Sequence, residues 1–218
     1  MLEITVAGAP LRLLAGRAAF LPGAGTLLVA DAHIGKAQSF RRLGVPVPSG
    51  TTGEALQGLS KLLAETGARR LVFLGDLLHS VRSRSTSIGA EVAAWRGRHA
   101  GVELTLVRGN HDRHAGDPPR EWRIDCVDEP LRLPPFALVH HPLPVAGAYA
   151  LAGHLHPAAV LRGSARERLR LPCFHFGPAV GVLPAFGAFT GMHVLTRAPG
   201  DRVFVIADDT VRTLNSRT

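Results

Sequence analysis

Five short segments gather acidic, amide and imidazole groups at the close of apolar runs: Asp31-Ala32-His33, Gly75-Asp76, Gly109-Asn110-His111-Asp112, His140-His141-Pro142 and Gly153-His154-Leu155-His156. A pair of divalent cations needs these residue types: a carboxylate to share, further oxygen and imidazole donors, and an open position each for water and phosphate. The chemistry implied is hydrolysis of a phosphoester, with water acidified by two ions. Asp31 and His33 stand two apart, so in extended backbone both side chains point the same way and can grip one ion; His154 and His156 repeat the spacing. Oxygen and nitrogen donors without thiolate suit manganese, iron or zinc better than calcium or magnesium, and manganese is the expected ion. His111, next to Asn110, is expected to point past the ions toward the substrate and protonate a leaving oxygen or stabilise phosphoryl charge, with Asp112 orienting its ring.

Singly, these segments say little. Gly-Asp is a common turn and Asp-x-His occurs by chance, whereas five such segments in this order point to one site. His99, His175 and His193 have no partner pattern and read as surface or satisfied core residues, and His141 reads as shaping the loop beside His140. His79, His114, Arg82 and Arg84 follow the segments closely enough either to reach the cleft or to lie beside it.

Strands are expected at Thr26 to Ala30, Arg70 to Leu74, Glu103 to Val107, Ala137 to Val139, Ala148 to Ala152, Ala158 to Leu161, Leu169 to Phe176 and Arg202 to Ile206. Thr52 to Glu65 and Ser87 to His99 carry apolar residues at helical spacing. The first three strands alternate with these helices, which implies βαβ units and parallel pairing, and ligands gather outside the carboxyl ends of such strands. After Asp128 short strands and Pro/Gly turns take over, implying a second, more antiparallel sheet. The expected fold is α/β: a layered α/β/β/α sandwich of two mixed sheets flanked by helices, in a single domain over residues 1–218. Val45 to Thr52 and Arg113 to Arg120 read as surface loops.

At 218 residues and 46% hydrophobic, the chain can bury one substantial core. Cys126 and Cys173 form no CxxC and read as small buried thiols. No basic leader or long apolar span is evident, so a cytoplasmic protein without a membrane partner is expected. The net charge of +8 is mostly arginine, which fits an anionic partner. Lys36, Arg41, Arg42, Arg82, Arg84, Arg108 and Arg113 flank the first three segments and are expected to rim the cleft and hold flanking phosphates. With 6% aromatic residues and no aromatic-basic interleaving, base stacking is not indicated. Around Phe186 to Val194 the apolar residues fit either a buried strand or a dimer contact.

The segment series over roughly residues 26 to 160 resembles the calcineurin-like metallophosphoesterase superfamily. A longer signature is similar to the ligase-associated DNA damage response endonuclease family. It comprises Asp31 to Lys36 running into Phe40 to Thr52, then Leu74 to Ser80 and Leu183 to Gly191. Ala32 stands where leucine is usual, which should alter packing and not ligation. The resemblance implies one metal held by Asp31, His33, Asp76 and His156 and a second by Asp76, Asn110, His140 and His154, with Asp76 bridging. It also implies a bacterial phosphodiesterase acting on DNA, encoded near an ATP-dependent DNA ligase, a helicase and an exonuclease-like protein. Two other readings remain at this level: a phosphoesterase of cyclic nucleotides or phosphomonoesters on the same centre, and a non-enzymatic interaction module.

Overall fold

A computed structural model of the chain describes residues 1–48, 50–84, 86–162 and 167–214, apart from the side chains of Arg82, Arg84 and Thr86. The N-terminal half holds strands β1 (Leu2–Val6), β2 (Ala9–Leu14), β3 (Ala18–Leu21) and β4 (Thr26–Val29), helices α1 (Lys36–Arg42) and α2 (Thr51–Thr66), β5 (Arg70–Leu74), α3 (Thr86–Arg98), β6 (Glu103–Val107), α4 (Asn110–Ala115) and β7 (Ile124–Val127). The remainder is strand: β8 (Leu131–Leu133), β9 (Phe136–Leu138), β10 (Tyr149–Ala152), β11 (Pro157–Arg162), β12 (Arg168–Phe176), β13 (Val180–Val182), β14 (His193–Val194), β15 (Arg202–Ala207) and β16 (Thr210–Thr213).

Among the described residues β1 to β7 form a seven-stranded sheet in chain order, and β8 to β16 form a nine-stranded one. β4, β5, β6 and β7 pair in parallel, as the βαβ reading requires, while β1 to β4 form an antiparallel meander. The second sheet is mixed: β9, β10 and β13 run parallel, and β12 pairs antiparallel with β11, β13 and β15. The parallel strands of both sheets end at the same place, which brings distant loops together.

Two cores fix this arrangement. Leu56, Leu59, Leu62 and Leu63 of α2 and Ile88, Val92 and Trp95 of α3 lie three and four apart, so each helix turns one apolar stripe onto Leu27, Val29, Leu71, Phe73 and Leu106. The alternate residues of those strands, Leu28, Ala30, Val72, Leu74 and Val107, face the second sheet through Phe136, Leu138, Leu151, Phe174, Phe176 and Phe204. Trp95 donates its indole N–H to Ser60 Oγ at 3.0 Å, and that hydroxyl meets His99 Nε2 at 2.7 Å, so His99 is a satisfied core-edge residue. The helices cover only the seven-stranded sheet; among the described residues none covers the outer face of the other.

The N-terminal meander was not expected. Pro10 argues against a strand, yet it sits in β2 opposite Thr5, and the Ala7-Gly8 turn, with both φ positive, lacks the Asn-Gly signal. α1 covers residues for which the sequence predicts no helix, and the loop expected from Arg113 begins inside α4. The segment after β13 is buried within the chain at its start: Ala185 bridges Ala30 in parallel, and Phe186 packs on the helical core. Cys173 is buried and Cys126 half-buried, both as free thiols. No helix is long and apolar enough to cross a membrane.

Candidate metal centre

Asp31 follows β4, Asp76 follows β5, Asn110 opens α4 after β6, His140 lies beyond β9 and His154 beyond β10. The loops after β4 and β5 are zipped together: Asp31 N–H donates to Gly75 O, His33 N–H to Asp76 O and Ile34 N–H to Leu77 O, at 2.8–3.2 Å. The loops from the second sheet join through Gly153 N–H to His140 O at 3.2 Å.

The backbone corrects the extended geometry expected of the two i, i+2 pairs. Asp31, His33, Asp76, His154 and His156 all have φ between 45° and 72°, in the left-handed region. A strand end left extended would carry alternate side chains along the strand, whereas these kinks turn carboxylate and imidazole inward. Asp and His tolerate this conformation better than most residues, at roughly 1–3 kcal/mol each.

Asp76 splits its two oxygens. Oδ1 accepts the His111 backbone N–H at 2.9 Å and lies 3.5 Å from His140 Nε2, while Oδ2 lies 3.9 Å from His33 Nε2 and 4.0 Å from His111 Nε2. On the first side, His140 Nδ1 donates to Leu74 O at 3.0 Å, which leaves Nε2 as a lone pair. That lone pair faces Asn110 Oδ1 at 2.9 Å and His154 Nδ1 at 3.0 Å. Asn110 Oδ1, His154 Nδ1 and Asp76 Oδ1 thus converge within 3.5 Å of His140 Nε2, a set of oxygen and nitrogen donors that suits a cation.

The other side has the same character. Asp31 Oδ1 is fully buried with no hydrogen-bond donor, 3.5 Å from His156 Nε2, while Oδ2 accepts the His154 backbone N–H at 2.9 Å. His156 Nδ1 is tied to Gly191 O at 3.1 Å, which again turns the Nε2 lone pair inward. Asp31, His33 and His156, and likewise Asp31, Asp76 and His140, lie close enough for each set to hold one ion. The two sets share Asp31, and Asp76 stands between His33 Nε2 and His140 Nε2, so the residues present fit divalent cations.

Burial dominates the electrostatics. It raises the Asp76 carboxyl, against the lowering effect of His140 and the His111 N–H. It also pushes the His33 imidazole down to about 2, helped by Lys36 and neighbouring histidines, and lowers His154. Neutral imidazoles and unneutralised carboxylates are the forms that bind metal.

His111 is 40% exposed, with Nδ1 at 3.2 Å from the His79 carbonyl and Nε2 toward Asp76. Its ring stacks on His79 at 5.4 Å and meets His33 edge-on at 5.0 Å. The Asp112 carboxylate, expected to orient that ring, is buried and otherwise engaged: it accepts backbone N–H groups from Asp76 at 2.7 Å, Gly109 at 2.9 Å and Leu78 at 3.1 Å. It fastens the β5 loop to the start of α4, and the His79 carbonyl is what contacts the His111 ring.

Two features escaped sequence reading. Glu129 accepts the N–H groups of His140 and His141 at 2.7 and 3.0 Å and His141 Nδ1 at 2.6 Å, pinning the His-His loop; a carboxylate eleven residues upstream carried no signal of this. Gly75 and Gly109 are sites of close approach: a Cβ on Gly75, whose φ is +80°, would strike the His140 ring, and one on Gly109 would strike Asp76.

The basic rim is thinner than expected. Arg108 pairs with Asp117 at 2.7 Å and Asp128 at 3.6 Å, Arg113 pairs with Asp128 at 3.4 Å, and Arg41 donates to Pro48 O at 2.5 Å. Nearby carboxylates thus take charge that sequence reading assigned to a ligand. Lys36 is coupled to Asp31 and Asp76, and burial lowers its ammonium. The Arg82 and Arg84 side chains lie outside the described residues. His114 Nδ1 bonds the Asn110 carbonyl at 2.6 Å, His175 pairs with Asp201 at 2.7 Å and His193 is exposed on β14.

No family model and no curated protein matches the chain. Among solved structures it is similar to the Pseudomonas putida nuclease MPE, at 45% identity over 98% of this chain and 99% of that one, with a TM-score of 0.87. It is distantly similar to the phosphoesterase Yfce of E. coli, at 15% identity over 85% and 90% of the two chains, with a TM-score of 0.41. At 45% identity over nearly the whole of both chains, the protein is a phosphoesterase of the metallophosphoesterase superfamily, in one family with the Pseudomonas putida enzyme.

Proposed function

We propose that the protein is a manganese-dependent phosphodiesterase that cuts DNA as an endonuclease, in a bacterial DNA damage response. The observation that carries the reading is the division of Asp76 between two clusters of inward lone pairs, Asn110, His140 and His154 on one side and Asp31, His33 and His156 on the other. The nuclease activity of the Pseudomonas putida relative supports a nucleic-acid substrate, and the longer signature running through Phe40 to Thr52 supports the repair setting. In that setting an ATP-dependent DNA ligase, a helicase and an exonuclease-like protein would act in the same process.

Two divalent ions bound there would polarise the phosphoryl oxygens and acidify water at neutral pH. The chain's own groups do the rest. Asp31, Asp76 and Asn110 would hold the ions, and carbonyls of Leu74 and Gly191 hold His140 and His156 in the tautomer that leaves Nε2 free to ligate. His111, anchored at Nδ1 by the His79 carbonyl, presents Nε2 to the cleft, where its protonated form donates to the departing alkoxide oxygen. Lys36 adds positive charge beside the two carboxylates, where a phosphodiester would lie.

The test is turnover of a chromogenic phosphodiester with Mn²⁺, together with nicking of plasmid and single-stranded DNA. Asp76→Asn should abolish both, and His111→Ala should lower turnover by roughly 10²–10⁴-fold while leaving metal bound. Undiminished activity in Asp76→Asn rejects the site, and failure to cut any DNA rejects the substrate.

A further inference from the structure

Outside the metal cluster, exposed positive charge gathers on the hairpin of β11 and β12. Arg162, Arg168 and Arg170 are all exposed, and no hydrogen bond or ion pair engages their side chains among the described residues. Arg162 stands directly opposite Arg168, and Arg170 opposite Val160. Like charges in such cross-strand positions repel, and an external anion would relieve them. The described part of the hairpin contributes one carboxylate, Glu167, against three guanidiniums.

The hairpin is placed to serve the metal centre. β11 begins at Pro157, the residue after His156, so Val160 and Arg162 stand roughly 10 and 17 Å along the strand from that root, at about 3.3 Å per residue. Alternation along β12 puts Arg168 and Arg170 on the face of Phe174 and Phe176, which pack toward the seven-stranded sheet whose strand ends carry Asp31 and Asp76. The opposite face holds Leu171 and Cys173 in the outer apolar cluster. A row of guanidiniums therefore leaves the metal cluster on the inner side of the sandwich.

We infer that this row is a binding tract for the phosphodiester backbone of a nucleic acid whose scissile phosphate lies at the metal cluster. The guanidiniums contact phosphates and not bases, since the fork of donors matches phosphate oxygens and the two phenylalanines of the hairpin, Phe174 and Phe176, are buried in the core and offer no stacking surface. The inference rests on the phosphodiesterase reading above and names the element that separates a polymer from a small diester.

The experiment compares the full-length protein with the triple variant Arg162→Ser, Arg168→Ser, Arg170→Ser and with its triple lysine counterpart. Binding of a labelled single-stranded oligonucleotide is followed by fluorescence anisotropy from 50 to 400 mM salt, and hydrolysis of a chromogenic diester is measured in parallel. The serine variant should bind about tenfold more weakly at low salt. Its slope of log K against log salt should be shallower by about 2, at roughly 0.7 per lost phosphate contact. The lysine variant should recover the slope, and diester turnover should stay within about twofold in all three proteins, since a small diester held at the metal cluster does not extend the roughly 10–17 Å along the strand to these residues. Equal affinity and slope in wild type and serine variant, or no oligonucleotide binding by wild type, overturns the inference. Wild type that binds through the arginines yet leaves the diester intact would sink the catalytic reading and leave the tract standing.

Discussion

Gly109→Ala isolates the metal centre's geometry from backbone effects. Gly109 has φ −91° and ψ −178°, which alanine adopts freely, so any cost comes from the added methyl group. A Cβ there would sit 2.6 Å from the Asp76 backbone nitrogen and 2.9 Å from His140 Cε1, and closer still to Asp76 Oδ1. Ordinary contact begins at 3.4 Å, and neither backbone nitrogen nor carboxylate is the loose end of a flexible side chain. Asp76 N–H is already bound to Asp112 and its Oδ1 to the His111 N–H, so relief must pull the shared carboxylate or the α4 start out of place. Overpacking of this kind costs about 1–3 kcal/mol, which for a chain of this size lowers Tm by roughly 2–12 °C. A displacement near 1 Å at the reacting groups costs on the order of 10²-fold in turnover. The assays are thermal unfolding, metal content and diester hydrolysis on the same preparation. Gly97→Ala, on the exposed side of α3 with nothing near its Cβ, is the control and should raise Tm by about 1–4 °C. Full activity and normal metal content in Gly109→Ala would refute the packing described for the site.

Asp112→Asn should lower stability by about 1–3 kcal/mol and activity by roughly 10²-fold, because one amide oxygen cannot serve the three N–H groups that the carboxylate accepts; unfolding and kinetics check it. His33 has a folded pKa pushed down to about 2 from 6.5, so below pH 6.5 the unfolded chain binds a proton that the metal-free native state refuses. The stability advantage of wild type over His33→Gln should therefore shrink by about 2 kcal/mol between pH 7 and pH 5, measured by urea unfolding without metal. Removing metal with a chelator should lower Tm by roughly 5–11 °C relative to protein in 100-fold excess over Kd, from about 2.7 kcal/mol of linked binding energy.

The helical layer was legible because the leucines of α2 and the Ile88, Val92 and Trp95 stripe of α3 repeat at the helical period, and their bounds shift by only a residue or so. The central parallel strands were legible as apolar runs between those helices. The meander β1 to β3 was not, since Pro10 and the Ala7-Gly8 turn carry the wrong local signals and long-range pairing overrides them. At the site, residue types and order were readable, whereas the left-handed backbone at Asp31, His33, Asp76, His154 and His156 was not, because only the meeting of loops from two sheets requires it. For the same reason the clamp by Glu129 and the true partners of Asp112 emerge only in three dimensions.

Anomalous diffraction from crystals soaked in Mn²⁺ tests the shared-carboxylate centre most directly. Two peaks about 3.5–4 Å apart should appear with Asp76 between them, Asn110, His140 and His154 around one and Asp31, His33 and His156 around the other. A single peak, or two that do not share Asp76, would contradict it.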